Sequence, residues 1–299
     1  LQNDIVGRFD IVIFKAKITV HYLKILITVV KTIFERIWLA LFAHSSFWRL
    51  NQYLLNLTQK SLGINNYKSE KISGEIFWIN YVLKNYQPDV IFDIGAHKGD
   101  YTKLFRDAGF KGTIYLFEPH PKTYSVLTHQ IRATEFDKIF NLGFSETRGN
   151  TLIFDYSGES LESGSPHASL FSQVITDLHG SSNVTEVKVQ LRTLDDFAEE
   201  HKIERISLLK IDTEGNEFPI LKGSRRLLEE GRIDLIQFEF GEMNVVSRYF
   251  FKDFFDLLNP NYCIYRLLPS GLLPITKYNA RHHEIFIYQN IVCVHRQLK

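Results

Sequence analysis

Cysteine is nearly absent from this chain, with Cys263 and Cys293 the only two in 299 residues. Both lie in apolar, strand-like runs, so nothing points to a disulfide framework or a cysteine-built zinc site, and buried free thiols are expected. A surplus of charge is also missing. The 35 Lys and Arg against 34 Asp and Glu leave a net +1, which makes no electrostatic case for nucleic acid. A membrane-spanning run is lacking too. In the apolar N-terminal stretch the longest segment without a charge is Ile37–Trp48, 12 residues, where a spanning helix needs about 20. No signal peptide with a cleavage site is evident, so the expected compartment is the cytoplasm.

What is present falls into two parts: an N-terminal helical region over residues 1–73 and an α/β domain over 74–299. In the first part Lys17, Lys24 and Lys31 recur every seven residues, with His21, Thr28 and Glu35 between them. On a helix these form one narrow polar stripe, and Ile, Leu, Val and Phe cover the rest. So wide an apolar face must be covered by something. We expect protein to cover it, either the domain itself or a second subunit in a homo-oligomer. Peripheral contact with an anionic membrane is the competing cover, since residues 1–43 hold six basic and three acidic side chains.

The second part is organised around Asp89-Val-Ile-Phe-Asp-Ile-Gly-Ala-His-Lys-Gly-Asp100 and Ile114-Tyr-Leu-Phe-Glu-Pro119. Val90–Ile94 reads as a strand buried on both faces of a parallel sheet. Gly95 and Gly99 break it, with Ala96 and His97 inside the turn, and a helix follows from Tyr101. Glycines there let backbone bend sharply and approach a ligand closely. The second run is another buried strand. It ends on Glu118, an acid able to accept both hydroxyls of a ribose. The spacing is not the G-x-G-x-x-G of a dinucleotide site, and Asp93 before the turn would repel phosphate while suiting an ammonium group. S-adenosylmethionine has a ribose, an amino-acid head and a sulfonium, and no phosphate. Ligands in such sheets lie at the carboxyl ends of the strands. The third strand, Lys138–Leu142, therefore suggests Asn141 as a polar partner for adenine and Phe144 as a stacking face.

Further on, Ser157–Ser169 is rich in Ser, Gly and Pro and reads as a surface loop, a lid over the site or a plain linker. Ile206–Ile211 is a fourth strand. It carries Asp212, Glu214 and Glu217 to the same rim, close to Lys210. The plainer alternative is a solvated first helical turn, where acids favour the dipole. The fifth strand, Leu235–Phe240, brings Glu239. Two closing strands, Tyr262–Leu268 and Ile285–Val294, are joined by a connection holding Arg281, His282 and His283, which could meet an anionic substrate.

These blocks in this order resemble the FkbM family of S-adenosylmethionine-dependent methyltransferases. The resemblance runs over roughly residues 75–299 and is most specific in Lys210-Ile-Asp-Thr-Glu-Gly-Asn-Glu217. It implies a class I methyltransferase fold, a Rossmann-like doubly wound sheet with a C-terminal antiparallel hairpin. It also implies transfer of a methyl group to a hydroxyl oxygen, on a glycan or natural-product-like acceptor. The expected cofactor site is then Asp93, Gly95, Ala96, His97, Gly99, Glu118, Asn141 and Phe144. Asp212, Glu214 and Glu239 are the candidate bases or acceptor positioners, working without a tightly bound metal, because Lys210 and a cationic cofactor balance them. A nicotinamide-dependent oxidoreductase and a non-catalytic nucleoside-binding scaffold are the alternatives.

Overall fold

Apolar runs without alternation build strands buried on both faces, and they set the architecture here. The structure, a computed structural model, describes residues 27–156, 168–178, 180–181 and 183–298. Its strands are β1 (Val90–Ile94), β2 (Thr113–Phe117), β3 (Asp137–Phe140), β4 (Gly143–Phe144), β5 (Gly149–Tyr156), β6 (Val184–Arg192), β7 (Ile206–Ile211), β8 (Ile233–Phe240), β9 (Tyr262–Leu268), β10 (Gly271–Ile275) and β11 (Gln289–His295). Eight form the main sheet in the order β10-β9-β11-β8-β7-β1-β2-β3, and β4-β6-β5 form a small second sheet. From β8 to β3 all neighbours are parallel, whereas β11 runs antiparallel to both β8 and β9. This is the doubly wound sheet with antiparallel closing strands that the sequence leads one to expect. Two features differ from that reading. Residues 271–275 pair with β9 as an extra edge strand, because Pro274 is tolerated at a sheet edge. The last strand starts at Gln289, since residues 285–287 are taken up in a tight turn.

Side chains alternate across the sheet, so each strand feeds two cores. Phe92, Ile94, Phe117, Leu209 and Phe254 pack on one face, and Trp78, Ile91, Phe105, Leu116 and Leu208 on the other. By that period Asp93, Lys210 and Gln237 share the second face. They are adjacent in register, Asp93 beside Lys210 and Lys210 beside Gln237. A polar row thus crosses an otherwise apolar layer.

The chain divides into two units between Thr58 and Gln59, earlier than the 73/74 boundary read from sequence. The reason lies in two glycines that touch β9. A Cβ on Gly63 or Gly74 would stand 2.4 Å from the carbonyl oxygen of Leu267 or Leu268 respectively. That segment therefore packs as part of the larger unit. In the smaller unit, residues 27–42 are helical. Their apolar side chains, Val30, Phe34, Ile37 and Leu39 among them, are exposed within the single chain. Residues 1–26, including Lys17, His21 and Lys24 of the polar stripe, lie outside the described residues. Among the described residues no helix is long and apolar enough to cross a membrane.

Candidate active site

The turn after β1 is fixed by backbone. The N–H groups of Gly95 and Ala96 both donate to the carbonyl of Phe117, and Asp212 N–H donates to that of Ile94. Gly95 adopts φ +78°, and a Cβ there would stand 1.8 Å from the carbonyl oxygen of Asp212. Only glycine fits. Gly99 does a different job: at φ +82° it lets the helix Asp100–Asp107 start against Ile131, which a Cβ would overlap. Ala96 is buried in the second core. His97, also at positive φ, donates its N–H to Glu118 Oε2 at 3.0 Å.

Glu118, at the end of β2, is almost fully buried. Its second oxygen accepts from His120 N–H at 2.8 Å. Burial pushes this carboxyl up to about 7, against those two backbone hydrogen bonds, which pull it down. His120 in turn caps the helix Pro121–Gln130 through Nδ1 and stands 3.4 Å from Asp155. Asn141 donates to the carbonyls of Glu118 and Pro119 at 2.8 and 3.0 Å.

A cavity of about 610 Å³ opens at this rim, a size suited to a nucleoside-bearing ligand. Of the residues expected to hold the cofactor, Gly95, His97, Glu118 and Phe144 line it. Asp93, Ala96, Gly99 and Asn141 do not, and each has a physical reason. Asp93 points to the second face, where Thr102 donates to Oδ2 at 3.1 Å. Lys210 Nζ lies 3.5 Å from its Oδ1, close enough for an ion pair but not aligned for a hydrogen bond. Asn141 is spent on pinning the loop that carries Glu118. Ala96 and Gly99 serve packing.

The three expected catalytic carboxylates, Asp212, Glu214 and Glu239, all line the cavity. Asp212 Oδ2 accepts from Lys210 Nζ at 3.1 Å. Burial alone would push the Lys210 ammonium down, but the carboxylates of Asp212, Asp93 and Glu75 outweigh it and raise its pKa. Glu214 takes the left-handed backbone at φ +54°, and Ser169 Oγ donates to its carbonyl at 2.7 Å. Burial first, then the charges of Asp212, Glu214 and Glu75, hold Glu239 well above the usual carboxyl range. Glu217 parts from this group. Fully buried, it accepts from Thr213 N–H at 2.8 Å, Thr213 Oγ1 at 3.0 Å and Gly215 N–H at 3.1 Å, and so shapes the loop from inside. Among the described residues no group of three or more His, Cys, Asp or Glu side chains is placed to hold a metal ion.

Sequence reasoning missed Tyr67, Glu242, Met243 and Tyr288, which also line the cavity. Tyr67 and Tyr288 meet edge to face at 6.0 Å. Behind Tyr288 runs a directed chain across the polar row. Tyr101 O–H donates to Gln237 Oε1 at 2.7 Å, Gln237 Nε2 to Asn290 Oδ1 at 3.2 Å, and Asn290 Nδ2 to the Tyr288 oxygen at 2.9 Å. The Tyr288 oxygen is therefore an acceptor on that side, and its own proton is available to another group. The signal in the sequence was the polar residue within each apolar strand, Gln237 in β8 and Asn290 in β11. Arg281, His282 and His283 do not line the cavity; His283 Nδ1 accepts from Asn279 N–H at 2.9 Å. Ala168, near the end of the Ser-rich stretch, and Leu170, just after it, do line it. Residues 157–167 of that stretch lie outside the described residues.

The methyltransferase FkbM domain model matches residues 93–267. The 2-O-methyltransferase NoeI of Sinorhizobium fredii is 24% identical over 157 residues, covering 49% of this chain and 62% of its own length. Methyltransferase 1 of Beauveria bassiana is 28% identical over 165 residues, 49% of this chain and 61% of its own. The hexuronic acid methyltransferase AglP of Haloferax volcanii is 24% identical over 158 residues, 52% of this chain and 58% of its own. The chain thus spans about three fifths of the length of these curated relatives.

Proposed function

The chain belongs to the FkbM methyltransferase family, and from that premise we propose that it uses S-adenosylmethionine to methylate a hydroxyl oxygen of a glycan or natural-product-like acceptor. One observation carries the reading. A single cavity is lined by Gly95 of the turn after β1 and by Glu118 together with Asp212, Glu214 and Glu239. The donor set suits the cofactor: a buried acid for a ribose diol, a turn with no phosphate cradle, and carboxylates for a cation. One relative's name, a 2-O-methyltransferase, supports transfer to oxygen, and another's, a hexuronic acid methyltransferase, supports a sugar acceptor. The compact unit from Gln59 onward contains every residue of the proposed site.

Bound there, S-adenosylmethionine would supply an electrophilic methyl group, with its sulfonium sulfur as the leaving group. The rest falls to the chain. An alcohol is a weak nucleophile until a base takes its proton. Asp212 and Glu239 are the groups proposed to hold that proton, with Glu214 positioning the acceptor. Holding oxygen and methyl in near-attack geometry supplies the remainder of the rate. Calorimetry with S-adenosylhomocysteine and, separately, with NAD tests the reading. Binding of the first and not the second is expected; binding of NAD alone would assign the site to an oxidoreductase.

A further inference from the structure

The methyl-transfer reading leaves Tyr67 and Tyr288, both lining the cavity, without a role. The family model matches residues 93–267, so one tyrosine precedes that span and the other follows it. Backbone locks the two flanks together. Asn65 N–H donates to the Tyr288 carbonyl at 2.8 Å, and Ile64 and Asn66 on either side of it are buried. Asn66 Nδ2 donates in turn to the Ile72 carbonyl at 3.0 Å. Next to these anchors Tyr67 is left 63% exposed, its ring tilted 76° from that of Tyr288. A ring held on an anchored cavity rim offers apolar surface to a ligand at little cost in ordering.

Their place in the sheet puts them at the acceptor end. Tyr288 immediately precedes β11, whose Gln289 and Asn290 pair with Phe240 and Glu239 of β8. A Cβ on Gly241 would stand 3.2 Å from Tyr288 N. The order β11-β8-β7-β1-β2 sets four strand steps between Tyr288 and Glu118, the proposed ribose acid, or roughly 19 Å at about 4.8 Å a step. Tyr288 thus stands by the end of β8 and far from the ribose. Its oxygen accepts from Asn290 Nδ2 at 2.9 Å, which leaves its own proton to donate. Burial, first of all, raises its pKa and keeps that proton on the oxygen. The carboxyl oxygens of Asp212 and Glu239 line the same cavity and accept hydrogen bonds whether or not they are protonated. A ring surface, one fixed donor and several oxygen acceptors match a molecule with an apolar C–H face and hydroxyls around its edge. A pyranose has both.

We infer that Tyr67 and Tyr288 form the acceptor subsite, Tyr67 giving its ring to the C–H face of a pyranose and Tyr288 donating its phenolic proton to one of that sugar's oxygens. The inference rests on the methyl-transfer reading above. Saturation-transfer NMR on the full chain tests it, with and without S-adenosylhomocysteine. The probes are the methyl pyranosides of glucose, galactose, mannose, xylose and the 6-deoxy sugars, beside the acyclic polyol sorbitol. Saturation of ring C–H protons in at least one pyranoside, and not in sorbitol, is expected. Tyr67→Leu should weaken that binding about tenfold or more, Tyr67→Phe should keep it, and Tyr288→Phe should weaken it roughly three- to tenfold. With methyl-labelled S-adenosylmethionine and the pyranoside that binds, Tyr67→Leu should raise acceptor KM more than it lowers kcat. Calorimetry should find S-adenosylhomocysteine affinity unchanged in all three variants. If wild type fails to bind S-adenosylhomocysteine, the methyl-transfer reading falls, and the spectra without it still judge the two tyrosines. Absence of pyranoside binding, sorbitol binding as well as the sugars, or a signal that survives Tyr67→Leu overturns the inference. So does loss of S-adenosylhomocysteine from Tyr67→Leu, which would assign that ring to the cofactor.

Discussion

Gly95 and the carbonyl of Asp212 approach so closely that a Cβ on the glycine would lie 1.8 Å from that oxygen. The contact ties the turn after β1 to the loop after β7, the two segments that bound the proposed cofactor and acceptor ends. Gly95→Ala must strain a left-handed backbone and also push these loops apart. It should cost at least about 1–3 kcal/mol of stability and abolish binding of S-adenosylhomocysteine. Thermal unfolding and calorimetry read the two effects, and wild-type binding by the variant would mean the loops can separate freely.

Glu118 is the acid proposed to accept the ribose. Its hydrogen bonds to His97 and His120 N–H leave lone pairs for a ligand. Glu118→Ala should weaken S-adenosylhomocysteine binding by roughly ten- to a hundredfold, the loss of about 1.5–3 kcal/mol. Unchanged affinity would put the ribose elsewhere.

Asp212 and Glu214 should matter to turnover more than to the cofactor. Asp212→Asn and Glu214→Gln are each expected to lower kcat by about a hundredfold or more, with smaller changes in S-adenosylhomocysteine affinity than Glu118→Ala gives. Chelators should leave the rate alone. Loss of activity to a chelator, restored by magnesium, would bring a metal into the mechanism.

These residues differ in how legibly the sequence announced them. The sheet was readable because β1, β2, β7 and β8 are unbroken apolar runs, and the two glycine breaks and Glu118 stand at strand ends where such sheets bind ligands. Asp93 misled for a simple reason. It lies one residue before the end of β1, and the two-residue period turns it to the helix Asp100–Asp107 and Lys210, away from the cavity. Three acids in six residues looked equivalent at 212, 214 and 217, yet the left-handed turn at Glu214 and Gly215 folds Glu217 back onto its own loop. Tyr67 and Tyr288 could not be found by pattern, because more than two hundred residues separate two rings that meet in the cavity wall.

The polar row behind Tyr288 gives a fourth expectation. Gln237→Leu leaves Tyr101 without its acceptor and Asn290 Oδ1 without its donor. Tyr288 then loses orientation while Glu239 stays in place. A rise in acceptor KM larger than the fall in kcat is expected, with S-adenosylhomocysteine affinity kept. A uniform loss of both substrates would reduce the row to a structural element.

Glu217 supplies a pH signature that separates loop shaping from catalysis. Burial pushes its carboxyl up to about 7 from 4.5, outweighing the N–H groups that favour the charged form. A carboxyl with a raised folded pKa binds its proton more tightly in the native state than in the unfolded chain. Its contribution to stability is therefore fully present below about pH 4.5 and is lost as pH rises through about 7. The amide in Glu217→Gln cannot ionise but can still accept through its oxygen. Wild type minus variant stability should accordingly fall between pH 4.5 and 7 and level off above, by on the order of 3 kcal/mol. Comparing the two proteins cancels the histidines, whose lowered values act in the opposite direction over the same range. Urea unfolding at pH 5, 6, 7 and 8 measures the difference, and a difference independent of pH would show that Glu217 stays ionised throughout.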